Sequence, residues 1–423
     1  MSDKRSRSPH RKELLWKGAK IAALASVIAP LTGASVVMGI DKVRRARVPG
    51  GVKGFPTLPP TDVVVEDDTV RSYTEGESLY HDMIADIDAA KEYVYFETYV
   101  WRSDAAGHAF KGALYRAAER GVQVYVVYDG FGSFMSHPFF KVFRKHPNMH
   151  VHRVAEIRRG AFSGNLRRTG RSHRKLQVTD GKVGYVGGFN IGDDFGKEWR
   201  DTHVRIEGKS VQALKLGFEE FWNTFRGPRQ PELPEEAELP WNGKISAAFN
   251  RPSHLLYPVR GQYLEAFKRA KESIDITSPY FIPDQEISRE LRRAAQRGVK
   301  VRILRPEFSN HILADWVGRP HLGELLRDGV EIWLYKHAMI HAKTISVDDY
   351  RSIVGTANID RLSLAGNFEI TVQIDSDDFA DRMNEMFDND LSTARRLTYE
   401  EWNSRGLHTR LLEASVAPLR LIV

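Results

Sequence analysis

Two histidines, two lysines and two asparagines stand in one register along this 423-residue chain. The segment His173-Arg-Lys175-Leu-Gln-Val-Thr-Asp180 recurs as His341-Ala-Lys343-Thr-Ile-Ser-Val-Asp348, so both copies read H-x-K-x4-D. Each is followed by a turn rich in small residues and asparagine, Val186-Gly-Gly-Phe-Asn190 and Val354-Gly-Thr-Ala-Asn358. The histidines, the asparagines and a third pair, Asp201 and Glu369, are all separated by 168 residues. One such motif is compatible with an ordinary surface hairpin. Two complete sets in a common register point to a duplicated unit in which each half brings the same chemical kit.

Alternate side chains share one face of a strand. His173 and Lys175, like His341 and Lys343, therefore present an imidazole and an ammonium on the same side, and Leu176, Val178, Ile345 and Val347 support the strand reading. An imidazole near neutral pH is a nucleophile or a general acid/base, and a neighbouring lysine supplies positive charge without being consumed. Two such halves facing each other make a site for an oxyanion, with one histidine attacking and the other protonating a leaving group. Phosphoryl transfer fits, because its catalysis is mostly positioning plus stabilisation of oxygen charge. The chain has no cysteine and no H-E-x-x-H pattern, which argues against a dedicated zinc site, thiol catalysis and disulfides. No metal and no cofactor are expected.

These residues resemble the phospholipase D superfamily, whose signature is the duplicated H-x-K-x4-D motif, and within it the bacterial cardiolipin synthases. Further stretches carry the resemblance: Phe96-Glu-Thr-Tyr-Val-Trp101, Arg120-Gly-Val-Gln-Val124 running into Tyr128-Asp-Gly-Phe-Gly-Ser133, Trp199-Arg-Asp-Thr-His203, Ser278-Pro-Tyr-Phe-Ile-Pro-Asp284, and Gly355-Thr-Ala-Asn-Ile-Asp360 with Asn367-Phe-Glu369. It covers about residues 66–400. The resemblance implies two pseudo-symmetric α/β halves, each a mixed sheet flanked by helices, that share one active site. It implies a phosphohistidine intermediate, with His173 as nucleophile and His341 as general acid. Lys175 and Lys343, with Asn190 and Asn358, would bind phosphate, and Asp201 and Glu369 would orient the histidines. Asp180 and Asp348 complete the catalytic motif. Their place before Gly181 and Asp349, at a strand-to-turn junction, reads as structural. The chain departs from the family in having Asp360-Arg-Leu-Ser363 where Asp-x-Arg-Ser is common, and in having room for one amino-terminal membrane helix rather than two.

Residues 21–40 hold no charge, and at ~1.5 Å per residue they reach about 30 Å, one hydrocarbon core. A basic leader, 1–20, precedes them, and Lys42, Arg44, Arg45 and Arg47 follow. The segment reads as an anchor, a signal peptide cleaved near Thr32-Gly-Ala34, or an interfacial helix. Basic flanks and a run longer than a signal core favour an anchor in the cell membrane. Positive-inside counting leans towards a cytoplasmic amino terminus, by a margin too small to fix the side of the catalytic body. A net charge of +7 and a pI of about 9.3 suit an anionic partner, phospholipid or nucleic acid.

The elements that must position the kit follow in order. A linker, 41–65, leads to the first half, 66–227. An acidic proline-rich link, 228–250, leads to the second, 251–400, and a tail, 401–423, closes the chain. Helix 76–91, strand 93–100, a helix over 106–119 capped by Asp104 and stopped by Gly121, and strand 122–128 are expected in the first half. Helix 262–272, strand 274–279, helix 285–296 capped by Asp284 and stopped by Gly298, and strand 299–304 repeat them. Alternating strand and helix implies parallel pairing with helices on the faces. Arg158, Arg159, Arg167, Arg168, Arg171 and Arg174 form a basic run ahead of the first motif, read either as a solvated face or as a headgroup contact. The tail, with Leu411, Leu412 and Val416, would pack on the second half or dock on lipid.

The reading is a phosphatidyltransferase on anionic phospholipid at a membrane surface, most simply phosphatidylglycerol to cardiolipin. A hydrolase or nuclease of the same superfamily is the alternative. The membrane segment and the synthase-like stretches weigh against nucleic acid as partner. A non-catalytic lipid binder would have lost a histidine or lysine, and none is lost.

Overall fold

The computed structural model describes residues 30, 32–43, 54–155, 170–236, 243–336 and 338–421. The basic leader, residues 21–29 of the apolar segment, 44–53 of the linker, residues 237–242 of the proline-rich link, and Arg158, Arg159, Arg167 and Arg168 lie outside the described residues.

The first half forms an eight-stranded sheet from β1 (Thr61–Val65), β2 (Asp68–Tyr73), β3 (Tyr93–Thr98), β4 (Gln123–Asp129), β5 (Met149–Val154), β6 (Leu176–Thr179), β7 (Val183–Gly187) and β9 (His203–Glu207), with the short β8 (Trp199–Arg200) outside it. The order is β1-β2-β9-β7-β6-β3-β4-β5. The second half uses β10 (Ile245–Phe249), β11 (Ser273–Thr277), β12 (Lys300–Pro306), β13 (Glu331–Tyr335), β15 (Thr344–Val347), β16 (Arg351–Gly355), β17 (Ile370–Asp375) and β18 (Ala394–Leu397), with the short β14 (Met339–Ile340) set aside. Its order is β10-β17-β16-β15-β11-β12-β13-β18. The run β9-β7-β6-β3-β4-β5 thus maps strand for strand onto β17-β16-β15-β11-β12-β13.

Within the two eight-stranded sheets, parallel pairing is confined to β3-β4-β5 and β11-β12-β13. The motif strands β6 and β15 pair antiparallel on both sides. Each sheet is therefore mixed, as the resemblance implies, and parallel only where strand and helix alternate. Helices Ala105–Glu119, Gln285–Gln296 and Ile312–Arg327 act as crossovers between parallel neighbours, whereas β6 and β15 lead into tight turns that reverse the chain. Local chemistry sets the crossover ends. Asp104 accepts from the Gly107 amide at 3.0 Å, and Asp284 accepts from Glu286 and Ile287, both at 2.9 Å. Gly121 and Gly298 take φ of 98° and 92°, where a side chain would be strained.

The apolar layers follow strand parity. On one face of the first sheet, Val94, Phe96, Val124 and Val126 pack under helices Gly76–Ala89 and Ala105–Glu119. On the other face, Leu176, Val178, Val186, Val204 and Ile206 meet Val354, Ile370, Val372 and Ile374 of the second sheet. Helices Val211–Phe225 and Asp377–Leu391 fill the same inner layer with Phe218, Trp222, Phe379 and Met386. The halves therefore share a core, and burial of this size makes them one body.

The described part of the expected anchor is a helix over 32–43 that lies on this body. Val37 is fully buried among Ile282, Trp316, Val317 and Val416, while Val36, Met38, Ile40 and Val43 face outward. A Cβ at Gly33 would fall 2.2 Å from Ser415 Oγ, so glycine permits the close approach. Among the described residues, no helix is long and apolar enough to cross a membrane. The tail helix Leu407–Val416 packs on Ile312–Arg327, tied by Arg319 Nε to Glu413 at 2.8 Å.

Candidate active site

Lys175 and Lys343 directly precede β6 and β15, and parity turns them away from the inner core that takes Leu176 and Val178. At the far end of each strand, Asp180 and Asp348 adopt φ of 52° and 55°. The Asp180 carboxylate accepts the amides of Lys91, Glu92 and Tyr93, each at 2.9 Å. Asp348 does the same for Lys271, Glu272 and Ser273. The last motif residue thus fastens the head of β3 or β11 and stands outside the site. This position does not fit the expectation that the two aspartates count among the catalytic groups.

The histidines are held across the molecule. His173 Nδ1 lies 2.9 Å from Oε1 of Glu369, in the other half. His341 Nδ1 lies 2.6 Å from Oδ2 of Asp201, again in the other half. The backbone crosses with them: His173 N donates to Phe368 O at 3.0 Å, and His341 N donates to Arg200 O at 2.7 Å. Strands β8 and β14 pair in parallel at this crossing. A carboxylate on Nδ1 fixes the tautomer with the proton there, so Nε2 of each ring carries the lone pair.

Lys175 Nζ donates to His173 O at 2.7 Å and sits over the Tyr99 ring at 5.4 Å. Lys343 Nζ is 2.7 Å from His341 Nδ1 and 3.9 Å from Asp201 Oδ2. Nδ1 cannot donate to Asp201 and accept from Lys343 together. The charge-assisted carboxylate contact is the stronger, so Lys343 donates to the His341 carbonyl and acts on the ring as a charge.

Burial dominates the electrostatics. It pushes Lys175 down to about 7, helped by Lys343, and Lys343 down to about 8 against the pull of Asp201 and Glu369. Burial and the Lys343 charge push His341 down to about 3. Burial also lowers His173, against Glu369. Burial alone would raise Asp201, but Lys343 and His341 outweigh it and hold the carboxylate below its usual range. The site thus holds two desolvated ammonium groups, whose charged forms a bound anion would stabilise.

Asn190 Oδ1 accepts from Val100 N at 3.1 Å, and among the described residues its amide donors have no protein partner. Asn358 Nδ2 reaches Ser363 Oγ at 3.5 Å, and its buried Oδ1 finds no donor. Asp360 caps Ser363 N at 2.7 Å, so Asp360 and Ser363 support Asn358. The departure from the family pattern falls on Leu362, which is exposed. Among the described residues, no group of three or more His, Asp or Glu is placed to hold a metal ion.

Sequence reasoning assigned no role to several neighbours. Tyr99 meets His173 edge-on at 4.8 Å, and Trp199 and Tyr280 meet His341 at 4.9 and 6.1 Å. Thr356 Oγ1 donates to Glu369 Oε2. Arg200 is buried and binds Asp390 with both Nε and Nη2 at 2.8 Å, fixing the strand before Asp201 to the second half. All except Asp390 lie within or beside stretches already singled out, and their placement between the halves was the missing information. Arg174 corrects the reading of the basic run as a headgroup surface: it is buried, 2.8 Å from Glu97 and 2.7 Å from Gly217 O. Arg171 stacks on Phe131 at 4.6 Å.

Comparison with known proteins matches residues 83–222 and 263–391 to a family model described as cardiolipin synthase, PLD-like domain. The major cardiolipin synthase of Bacillus subtilis is 35% identical over 369 residues, covering 83% of this chain and 75% of that protein. A cardiolipin synthase of Staphylococcus aureus is 35% identical over 358 residues, covering 82% and 72%. Among solved structures, phosphatidylserine synthase of Haemophilus influenzae superposes with a TM-score of 0.66 at 14% identity, covering 90% of this chain and 98% of that one. That likeness is one of fold.

Proposed function

The chain belongs to the cardiolipin synthase family with phospholipase D-like domains, and on that premise we propose a phosphatidyltransferase that converts two phosphatidylglycerol molecules to cardiolipin and glycerol. The observation that carries the reading is the crossed pair of dyads, His173–Glu369 and His341–Asp201, around two buried lysines.

Lys175 and Lys343 bind the phosphodiester oxygens, with the amides of Asn190 and Asn358. His173 Nε2 attacks phosphorus. The bond from phosphorus to the departing glycerol oxygen breaks, and His341 gives that oxygen a proton. The glycerol hydroxyl of a second phosphatidylglycerol then attacks the phosphohistidine, returns a proton to His341, and the P–N bond breaks. Glu369 and Asp201 stabilise the imidazolium forms as they arise. Both free imidazoles are neutral near pH 7, so His173 is ready to attack. His341 gains its proton when the substrate anion offsets the two ammonium groups. The enzyme works at the surface of an anionic membrane, and the segment over 21–40 contributes to holding it there.

The test is differential. His173→Ala and His341→Ala are compared on phosphatidylglycerol and on a nitrophenyl phosphodiester, with acid-quench capture of labelled protein. His341→Ala is expected to lose ~10²–10⁴-fold on the natural lipid, to recover on the acidic leaving group, and to trap label. His173→Ala is expected to do neither. Recovery and label in His173→Ala would swap the roles, and recovery in both without label would remove the covalent step.

A further inference from the structure

The first half carries an apolar surface that the chemistry above does not use. Between β4 and β5, Phe131, Phe134, Met135, Phe139 and Val142 are 56, 63, 76, 81 and 66% exposed. Side chains of this kind are ordinarily withdrawn from water, and a contiguous group of them marks an interaction site. The segment is held from below. Ser133 Oγ accepts from Trp101 N at 3.1 Å, His137 N donates to Ser103 Oγ at 3.0 Å, and Phe140 is buried against Trp101 at 5.7 Å. Lys111 Nζ takes the carbonyl oxygens of Phe140 and Val142. Asp129 Oδ1 accepts the amides of Phe131 and Gly132 at 2.9 and 3.1 Å. The backbone is anchored while the rings project.

The surface adjoins the site. A Cβ at Gly132 would fall 2.3 Å from Tyr99 O, and the Tyr99 ring touches His173. Arg171, two residues before His173, covers the Phe131 ring. The charge is one-sided. No Asp or Glu occurs between Asp129 and Glu156, and the stretch contributes Lys141, Arg144, Lys145 and Arg153. Arg144 reaches Glu119 of the adjacent helix, whereas Lys141 donates to the Phe134 carbonyl at 2.9 Å and lies over the Phe134 ring at 5.6 Å.

We propose that residues 131–145 are a docking surface for an anionic bilayer, with Phe134, Met135 and Phe139 entering the acyl region and Lys141, Arg144 and Lys145 meeting phosphate headgroups. Aromatic and aliphatic tips with a cationic rim fit that boundary. A second copy of this chain, itself carrying a net charge of +7, does not offer the opposite charge. The proposal rests on the lipid reading of the site, because it brings the mouth beside His173 to the level of the headgroups it must reach.

The chain has no cysteine, so a cysteine placed at Phe134 or Phe139 is its only thiol. A polarity-sensitive dye on full-length Phe134→Cys or Phe139→Cys is expected to be quenched by phosphatidylglycerol vesicles brominated on their acyl chains, and less by phosphatidylcholine ones. A dye on Glu265→Cys, on an outer helix of the second half, is expected not to be. Unquenched dye at both loop positions, in protein that sediments with the vesicles, overturns the proposal. So does a dye shift that grows with protein concentration without lipid, which would make the patch a contact between copies. In a second measurement, Phe134→Ser/Phe139→Ser is expected to lower turnover on phosphatidylglycerol vesicles about tenfold and to leave a short-chain phosphatidylglycerol below its micelle concentration unaffected. Equal losses on both overturn it. Quenching needs no turnover, so failure of the proposed reaction is read separately from failure of the docking surface.

Discussion

His173 and His341 meet carboxylates of the opposite half through the same ring nitrogen, yet the support behind the two carboxylates differs. Glu369 takes a hydroxyl hydrogen bond from Thr356. Asp201 is one carbon shorter and takes the Thr202 amide at 2.8 Å. The position equivalent to Thr356 is Gly188, where a Cβ would fall 2.0 Å from Asp201 Oδ1. A hydroxyl cannot be accommodated on that side. The lysines diverge as well, Lys343 lying against its dyad and Lys175 lying over Tyr99. Duplicated motifs can thus keep their residues and still acquire unequal electrostatics, which two steps of one reaction require.

The strongest way to break the comparison is to separate its members. Residues 66–232 and 251–423, expressed apart, are each expected to show no turnover, because each lacks the carboxylate its histidine uses. Any activity of a purified monomeric fragment would mean that the dyads are not shared. Next comes Asp201→Asn, which removes the partner of His341 and the counter-charge of Lys343. It is expected to cost ~10²–10⁴ in kcat on phosphatidylglycerol. Thr356→Val, which leaves the Glu369 carboxylate in place, should cost only about threefold to tenfold. If the two substitutions cost the same, the asymmetry described here has no catalytic meaning.

Lys175 sharpens the contrast through stability. Its pKa is about 7 in the folded protein, below the free value, so the unfolded chain binds more protons from pH 7 to about 10. Unfolding free energy from this group therefore rises with pH across that window. Lys175→Met should flatten the rise and stabilise the protein at pH 7 by ~1–2 kcal/mol while abolishing transfer. Urea titrations at pH 7 and 9.5 read both effects, and a less stable Lys175→Met would contradict a net cost of burying this ammonium. The smallest effect on chemistry is expected from Asp180→Ala. The folded variant should keep its kcat and lose ~1–3 kcal/mol, as three amides of the β3 start lose their acceptor.

The duplication, the motif strands, the capped helices after Asp104 and Asp284 and the histidines, lysines and carboxylates that meet between the halves were legible in the sequence, since each rests on spacing or on local chemistry. Which carboxylate serves which histidine was not. A common offset pairs His173 with His341 and Asp201 with Glu369, but it is equally satisfied by dyads within a half and by dyads across halves. Tyr99, Trp199 and Arg200 escaped assignment for the same reason, since their partners come from tertiary packing. Arg174 was misjudged because a run of arginines does not show which one turns inward to Glu97.

The crossed backbone bonds also set when the enzyme can begin to work. As the chain is synthesised, His173 and Asp201 emerge well before their partners, and the His341–Asp201 contact spans 140 residues. Until Phe368 and Glu369 arrive, His173 has neither its backbone acceptor nor its carboxylate. A nascent first half therefore lacks both groups that hold His173. On the proposed mechanism, transfer waits for the second half to be made.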